Sequence, residues 1–289
     1  MRLNPSPMVV LVLAVAMFVA ACATPAPTDE VLPEPQATVE LDVATEEPPS
    51  EPADPAPPAP TGEVELHISY DASLSSEGIA EKLRIASADG ASDPVQIFGD
   101  DFSTAGWSVF TENEWTTSYV DGAYELSVKA GGLRGAFGIP SGLGSLTDFY
   151  FQIETRAYGP ADNGYGFRFR DQEAGFYEFT VSSGGTGSGG EAISGGGTFS
   201  VDKFVEGSMV RIVPFKTESP SIVQGDGELN VLGVLALGPD ISLYINGQEV
   251  ASFSDPDHPT GSISLRVNPY FDEGSRTLFD NAAVWVPAD

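Results

Sequence analysis

The chain has 289 residues, with 13 Lys and Arg against 42 Asp and Glu, a formal net charge of −29 and a single cysteine. Such an excess of negative charge disfavours nucleic acid and bare anionic membrane as partners. One Cys and two His exclude an internal disulfide and leave no His/Cys cluster of the kind that holds zinc.

At the N-terminus Arg2 precedes an apolar run from Met8 to Ala21. The run is too short and too sharply bounded for a membrane-spanning helix. It ends in Val19-Ala20-Ala21-Cys22: an aliphatic residue, two small ones and a cysteine. This resembles the lipobox of bacterial lipoproteins. The resemblance implies that residues 1–21 are a signal peptide cut before Cys22, whose thiol carries diacylglycerol. Acyl chains contribute about 0.8 kcal/mol per buried CH₂, so the protein would be anchored to a membrane rather than span it. The expected location is the cell membrane or outer envelope, on the extracytoplasmic side.

Residues 22–62 read as a tether. Between 23 and 62 eleven prolines and nine acidic residues stand with no Lys or Arg. Such a stretch buries too little apolar surface to offset its ordering entropy, so it is expected to be a disordered Pro/Glu-rich linker. At about 3.1 Å per residue it could extend roughly 120 Å. Glu40, Asp42 and Glu46 form E-x-D-x-x-E, similar to the signature of laminarinase-type glucanases. Retaining chemistry, however, needs carboxylates held about 5–5.5 Å apart on a rigid element, and the tether offers none.

Residues 63–99 form an accessory segment. EVELHISY alternates like a strand, and SSEGIAEKLRIA suits either a turn of helix or a returning strand.

From residue 100 to 289 short alternating runs follow one another between Gly, Asn, Asp and Pro: AYELSVKA, DFYFQIETRA, GYGFRFR, FYEFTVSS, MVRIVPF, ELNVLGVLAL, ISLYING, QEVASFS, GSISLRV and LFDNAAVWV. Many short strands without intervening helices predict an all-β antiparallel sandwich or barrel. Asn246-Gly247 is a type I′ hairpin signal, because both turn positions need positive φ. It sets Leu243 and Ile245 on one face, with Val250 on the returning strand.

DDFSTAGW, NGYGFRFR, FYEFTVSS, LYINGQEVASFSD and LFDNAAVWV, in this order, resemble the jelly-roll sandwiches of the concanavalin A-like lectin and glucanase superfamily. NGYGFRFR followed by YEF is similar to the corresponding strands of the 3-keto-disaccharide hydrolase family. The resemblance implies an antiparallel jelly roll with sugar lying across one sheet face. Tyr165 and Phe179-Thr180 depart from the family's pattern, which favours a member that binds rather than cleaves.

Alternation assigns side chains to faces without the family. With Phe149, Phe151 and Ile153 inward, Gln152, Glu154 and Arg156 point out. With Phe167 and Phe169 inward, Arg168 and Arg170 point out; with Tyr177 inward, Phe176 and Glu178 point out. One polar strip of these seven residues is the predicted ligand surface, since planar Arg, Glu and Gln groups suit hydroxyl pairs. Phe176, with Trp107, Trp115, Tyr119 and Tyr158, offers rings on which a pyranose face can stack. Trp285 is assigned to structure. If the domain catalyses, Glu178 and Arg168 are the residues to carry it. Asp101 and Asp280 would approach one another if the first and last strands pair, and calcium is the ion such an oxygen-rich rim takes; capping of turns is the plainer role for both, and no cofactor is expected. SSGGTGSGGEAISGGG satisfies G-x-G-x-x-G, but with no helix after it to receive a phosphate it reads as a pliable loop over the sheet.

Residues 100–289 hold 26 acidic against 10 basic residues. Neutral glycans, calcium or basic surfaces fit that balance, and a glycan or a cell-envelope protein is the expected partner. The expected function is a lipid-anchored surface module, carbohydrate-binding and non-catalytic, with a glycoside-processing hydrolase as the alternative.

Overall fold

Strands of period two dominate because β-branched and aromatic residues alternate with short polar ones between turn residues. The computed structural model describes residues 66–67, 76–129, 136–138, 140, 142–159, 164–183, 197–268 and 274–289. The expected signal peptide, Cys22, the expected tether with Glu40, Asp42 and Glu46, and most of the glycine tract lie outside the described residues.

In chain order the elements are β1 (Leu66–His67), α1 (Ser76–Ile85), β2 (Val95–Asp100), β3 (Trp115–Val120), β4 (Ala123–Val128), β5 (Ala136–Gly138), β6 (Phe149–Tyr158), β7 (Gly164–Gln172), β8 (Gly175–Ser182), β9 (Thr198–Val205), β10 (Ser208–Glu218), β11 (Leu229–Leu237), β12 (Asp240–Ile245), β13 (Gln248–Ser254), β14 (Ser262–Asn268) and β15 (Ser275–Val286). They form two antiparallel sheets. The nine-stranded sheet runs β1-β13-β12-β11-β6-β15-β4-β3, with β2 also paired to β15; the six-stranded sheet runs β10-β9-β8-β7-β14-β5. The first sheet thus takes β1 and all of β2 but Asp100 from before residue 100. Of the two conformations open to SSEGIAEKLRIA, the helix forms.

The core lies between the sheets. Phe149, Phe151 and Ile153 of β6 face Phe167 and Phe169 of β7 and Tyr177 and Phe179 of β8, all at or near zero exposure. Phe151 and Phe167 meet edge to face at 4.9 Å. Burying each such side chain contributes roughly 1.5–3 kcal/mol. The outer face of the nine-stranded sheet is partly covered by α1, whose Ile79 and Leu83 pack on Tyr150, Leu235 and Tyr244, with Trp285 alongside.

Asn246 and Gly247 turn β12 into β13 with φ of 52° and 77°, the two positive values a type I′ turn requires. The Asn246 side chain also ties the hairpin to its neighbours: Oδ1 accepts the Val231 N–H, and Nδ2 donates to Ser221 O and to Asn230 Oδ1. Leu243, Ile245 and Val250 are all buried, and the register shifts between Leu243 and Tyr244.

Candidate functional site

The outer face of the six-stranded sheet is built by pairing outward residues of five strands. Arg168 stands opposite both Ser264 of β14 and Glu178 of β8; Glu178 stands opposite Asp202 of β9, and Asp202 opposite Arg211 of β10. This row alternates in charge where it matters. Arg168 Nε donates to Glu178 Oε2 at 2.7 Å, and Arg211 Nε donates to Asp202 Oδ1 at 2.7 Å.

The next row holds Arg266, Gly166, Thr180 and Ser200 in register. Gly166 cannot be replaced there, because its φ is 156° and a Cβ would come within 2.1 Å of Phe179 O. With no side chain between them, Arg266 reaches Glu178, Nε lying 3.4 Å from Oε2. Asn268 Nδ2 donates to Glu178 Oε1 at 2.8 Å, and Arg266 Nη2 donates to Asn268 Oδ1 at 3.1 Å. Burial pulls the Arg266 pKa down, against the raising effect of Glu178.

Glu178 is therefore a nearly buried carboxylate with both oxygens engaged by two guanidiniums and an amide. Such a group is a fixed negative anchor that holds two arginines in place. Beside it Phe176 and Phe204 stack with centroids 4.5 Å apart, and the Arg168 guanidinium lies 3.7 Å over the Phe176 ring. An aromatic shelf, a stacked arginine and a carboxylate–amide cluster thus share one open face. Such a set of groups can receive a ligand that carries an apolar edge and several hydroxyls.

The seven-residue strip is not continuous. Arg168, Phe176 and Glu178 meet on this face, but Gln152, Glu154 and Arg156 belong to β6 in the other sheet and point away on the opposite side. The reason is topological: alternation tells which side of a strand faces out, and β6 and β7, though adjacent in sequence, enter different sheets.

Arg170 is a second correction. A register irregularity between Phe169 and Gln172 places it at φ 49°, and its side chain turns inward to zero exposure. Nη1 donates to His258 O at 3.0 Å, and Nη2 to Thr147 O at 3.0 Å and Gly238 O at 2.6 Å. It pins three connections at one end of the sandwich. Arg266, Asn268, Asp202 and Phe204 were not singled out from sequence. GSISLRV showed the alternation that puts Ser264 and Arg266 on one face, but nothing local revealed that β14 lies against β7.

The aromatic candidates disperse. Trp107 is a core residue, its Nε1 donating to Asp100 Oδ2. Tyr119 Oη accepts the Gly106 and Trp107 N–H groups. Trp115 packs against Phe110, and Tyr158 lies beneath Arg276. Of these rings only Phe176 stands on the six-stranded face.

On the nine-stranded face the other candidates gather. Asp280 is in register with Glu154, and a bulge between Asp280 and Ala283 follows. β2 and β15 do pair, Asp100 opposite Ala282. Burial, with the Glu154 and Asp101 charges, raises the Asp280 pKa. Beside them lies a polar groove of about 550 Å³ lined by Asp100, Asp101, Thr104, Gln152 and Asn281. Asp101 Oδ1 accepts the Ser103 N–H, and Asp280 Oδ1 accepts the Asn281 N–H. Among the described residues no three His, Cys, Asp or Glu side chains come together as a metal site.

No curated protein sequence matches the chain. Among solved structures it is similar to a carbohydrate-binding module of family 66 from Bacillus subtilis, at 16% identity over 62% of this chain and 95% of that one, with a TM-score of 0.45. It is also similar to a prokaryotic β-1,3-1,4-glucanase from a mouse hindgut metagenome, at 12% identity over 66% and 98%, TM-score 0.44. A third is the catalytic domain of a laminarinase from Thermotoga petrophila, at 9% identity over 68% and 99%, TM-score 0.44. A family model for the 3-keto-alpha-glucoside-1,2-lyase-like domain matches residues 93–283, from just before β2 to within β15. That span is well over half of the sequence and takes in both sheets and the Arg168–Glu178 face, so the chain belongs to the 3-keto-alpha-glucoside-1,2-lyase-like domain family.

Proposed function

We propose that this protein is a carbohydrate-binding module, held outside the cell membrane by lipid on Cys22, that takes its glycan on the outer face of the six-stranded sheet. The observation that carries the reading is the cluster of Glu178, Arg168, Arg266 and Asn268 beside the Phe176–Phe204 shelf. A pyranose laid against the exposed edges of the Phe176–Phe204 pair would present its hydroxyls to Arg168 and to the Asn268 amide. The family name and the carbohydrate-directed names of the similar structures support a sugar as ligand. The Val19-Ala20-Ala21-Cys22 sequence supports the anchor, and glycan or envelope protein near the cell surface is then the partner within reach.

The non-catalytic reading is supported by the engagement of both Glu178 oxygens, one by Arg168 and the other by Asn268. A base that removes a C2 proton beside a keto group, or an acid that protonates a glycosidic oxygen, needs an available carboxyl. Family membership favours a second reading, in which the same face cleaves a 3-keto-glucoside with Glu178 and Arg168 as the working groups.

Calorimetry with α-glucosides and their 3-keto derivatives, paired with a product assay, separates the two. Binding without turnover, lost in Arg168→Ala, supports the module. Turnover abolished in Glu178→Gln supports the enzyme. Absence of binding to every glycan would overturn both.

A further inference from the structure

A different part of the molecule holds a reactive pair that the sugar-binding face does not use. In β9, Phe199, Val201 and Lys203 share the core-facing side, so a lysine occupies a position where its neighbours are apolar. Its Nζ lies 2.6 Å from Asp255 Oδ2, with side-chain exposures of 4% and 2%. Asp255 immediately follows β13, so the contact joins the six-stranded sheet to the nine-stranded one. Around it stand Tyr177 and Phe253, both buried.

Three further groups complete the arrangement. Asp257, 37% exposed, places Oδ2 at 2.8 Å from the same Nζ. The backbone N–H of Asp257 donates to the other oxygen of Asp255, Oδ1, at 3.0 Å. The buried Arg170 guanidinium adds positive charge facing Asp255. A lone buried ion pair is weak as a source of stability, because desolvation of both charges offsets their attraction. Here an amine, a carboxyl, a second carboxyl beside the amine and a donor aimed at the carboxyl oxygen are held within contact distance in an apolar setting. That is the requirement for condensation without an external catalyst.

We propose that Lys203 and Asp255 become joined by an intramolecular isopeptide bond that the folded protein forms on its own. A proton moves from Lys203 Nζ to the Asp255 carboxylate by way of Asp257. The freed amine lone pair then attacks Asp255 Cγ, and the oxyanion that develops on Oδ1 takes the Asp257 N–H. The Asp257 carboxylate removes a second proton from Nζ and delivers it to the Oδ2 hydroxyl. The Cγ–Oδ2 bond breaks, the oxyanion collapses to a carbonyl, and one water leaves past Asp257 toward solvent. Nothing is oxidised or reduced, and no co-reactant is needed. Burial pulls the Lys203 pKa down, but the two carboxylates more than offset this and the net shift is upward. The ion pair is therefore the starting state, and condensation proceeds from the minor neutral pair in equilibrium with it. The product removes two buried charges and links the sheets covalently in a chain whose one cysteine is Cys22.

The test is peptide mapping by mass spectrometry on the purified, denatured full chain after trypsin digestion, and it is independent of whether any glycan binds. The expected result is a branched species joining the Lys203 peptide to the Asp255 peptide, lighter than their sum by one water, with no cleavage after Lys203. Lys203→Arg should abolish it, and Asp255→Asn should replace the loss of water by loss of ammonia. Asp257→Ala should lower the yield at least tenfold; an unchanged yield would remove Asp257 from the mechanism. Linear peptides with ready cleavage after Lys203 in the wild-type chain would overturn the proposal.

Discussion

Glu178 accepts from Arg168 and Asn268 and lies within ion-pair distance of Arg266, and this shared dependence makes it the most informative single residue on the candidate face. Glu178→Gln keeps the shape but leaves two partly buried guanidiniums without their counter-charge. The expected cost is about 1–3 kcal/mol of folding stability, read as a lower denaturant midpoint, together with weakened glycan binding. Phe176→Ala is the milder probe. It removes one ring of the shelf and should weaken binding about 2- to 10-fold, equivalent to roughly 0.5–1.5 kcal/mol, with little change in stability. Arg168, Phe176 and Glu178 were legible in the sequence because strict alternation exposes them. Arg170 was not, since a local irregularity reverses its side chain, and no feature of FRFRDQ announces where alternation stops.

Strand alternation gives faces and leaves sheet membership open, so Gln152, Glu154 and Arg156 were legible as outward residues but not as residues of the opposite surface. The expected consequence is a clean separation by element. Gln152→Ala and Glu154→Gln on β6 should leave glycan affinity unchanged while Arg168→Ala on β7 abolishes it, measured side by side by calorimetry. The β12–β13 hairpin was legible because Asn-Gly admits few alternatives. Asn246→Ala should cost about 1–3 kcal/mol, since it leaves the Val231 N–H unpaired and removes two further hydrogen bonds. The segment after β13 carries a pH signature. His258 is buried, with Nε2 2.8 Å from Phe204 O, and burial lowers its pKa below the ordinary 6.5 despite the Phe204 carbonyl and two nearby aspartates. The unfolded chain therefore binds the proton more readily than the folded one. The stability contribution is full above 6.5 and is lost as pH falls through and below it. Thermal unfolding should show a midpoint that drops between pH 7 and pH 5, and His258→Gln should flatten that slope.

The family assignment and the sandwich were legible in the order of weak motifs from DDFSTAGW to LFDNAAVWV, each insufficient alone. Strand order within each sheet was not legible, because β14 meets β7 and β15 meets β6 over sequence separations that no local pattern encodes. On the proposed reading, a lipid on Cys22 and an acidic, proline-rich stretch would set a binding domain away from the membrane it is attached to. Cys22→Ser should then move the protein from the membrane fraction to the soluble fraction with glycan affinity unchanged. The central claim is that the six-stranded face holds a sugar, and isothermal calorimetry with a glycan panel on wild type, Arg168→Ala and Phe176→Ala tests it most directly. The expected result is saturable binding to at least one glucoside, abolished in the first variant and weakened in the second. Equal affinity in all three proteins would place the ligand elsewhere and contradict the assignment.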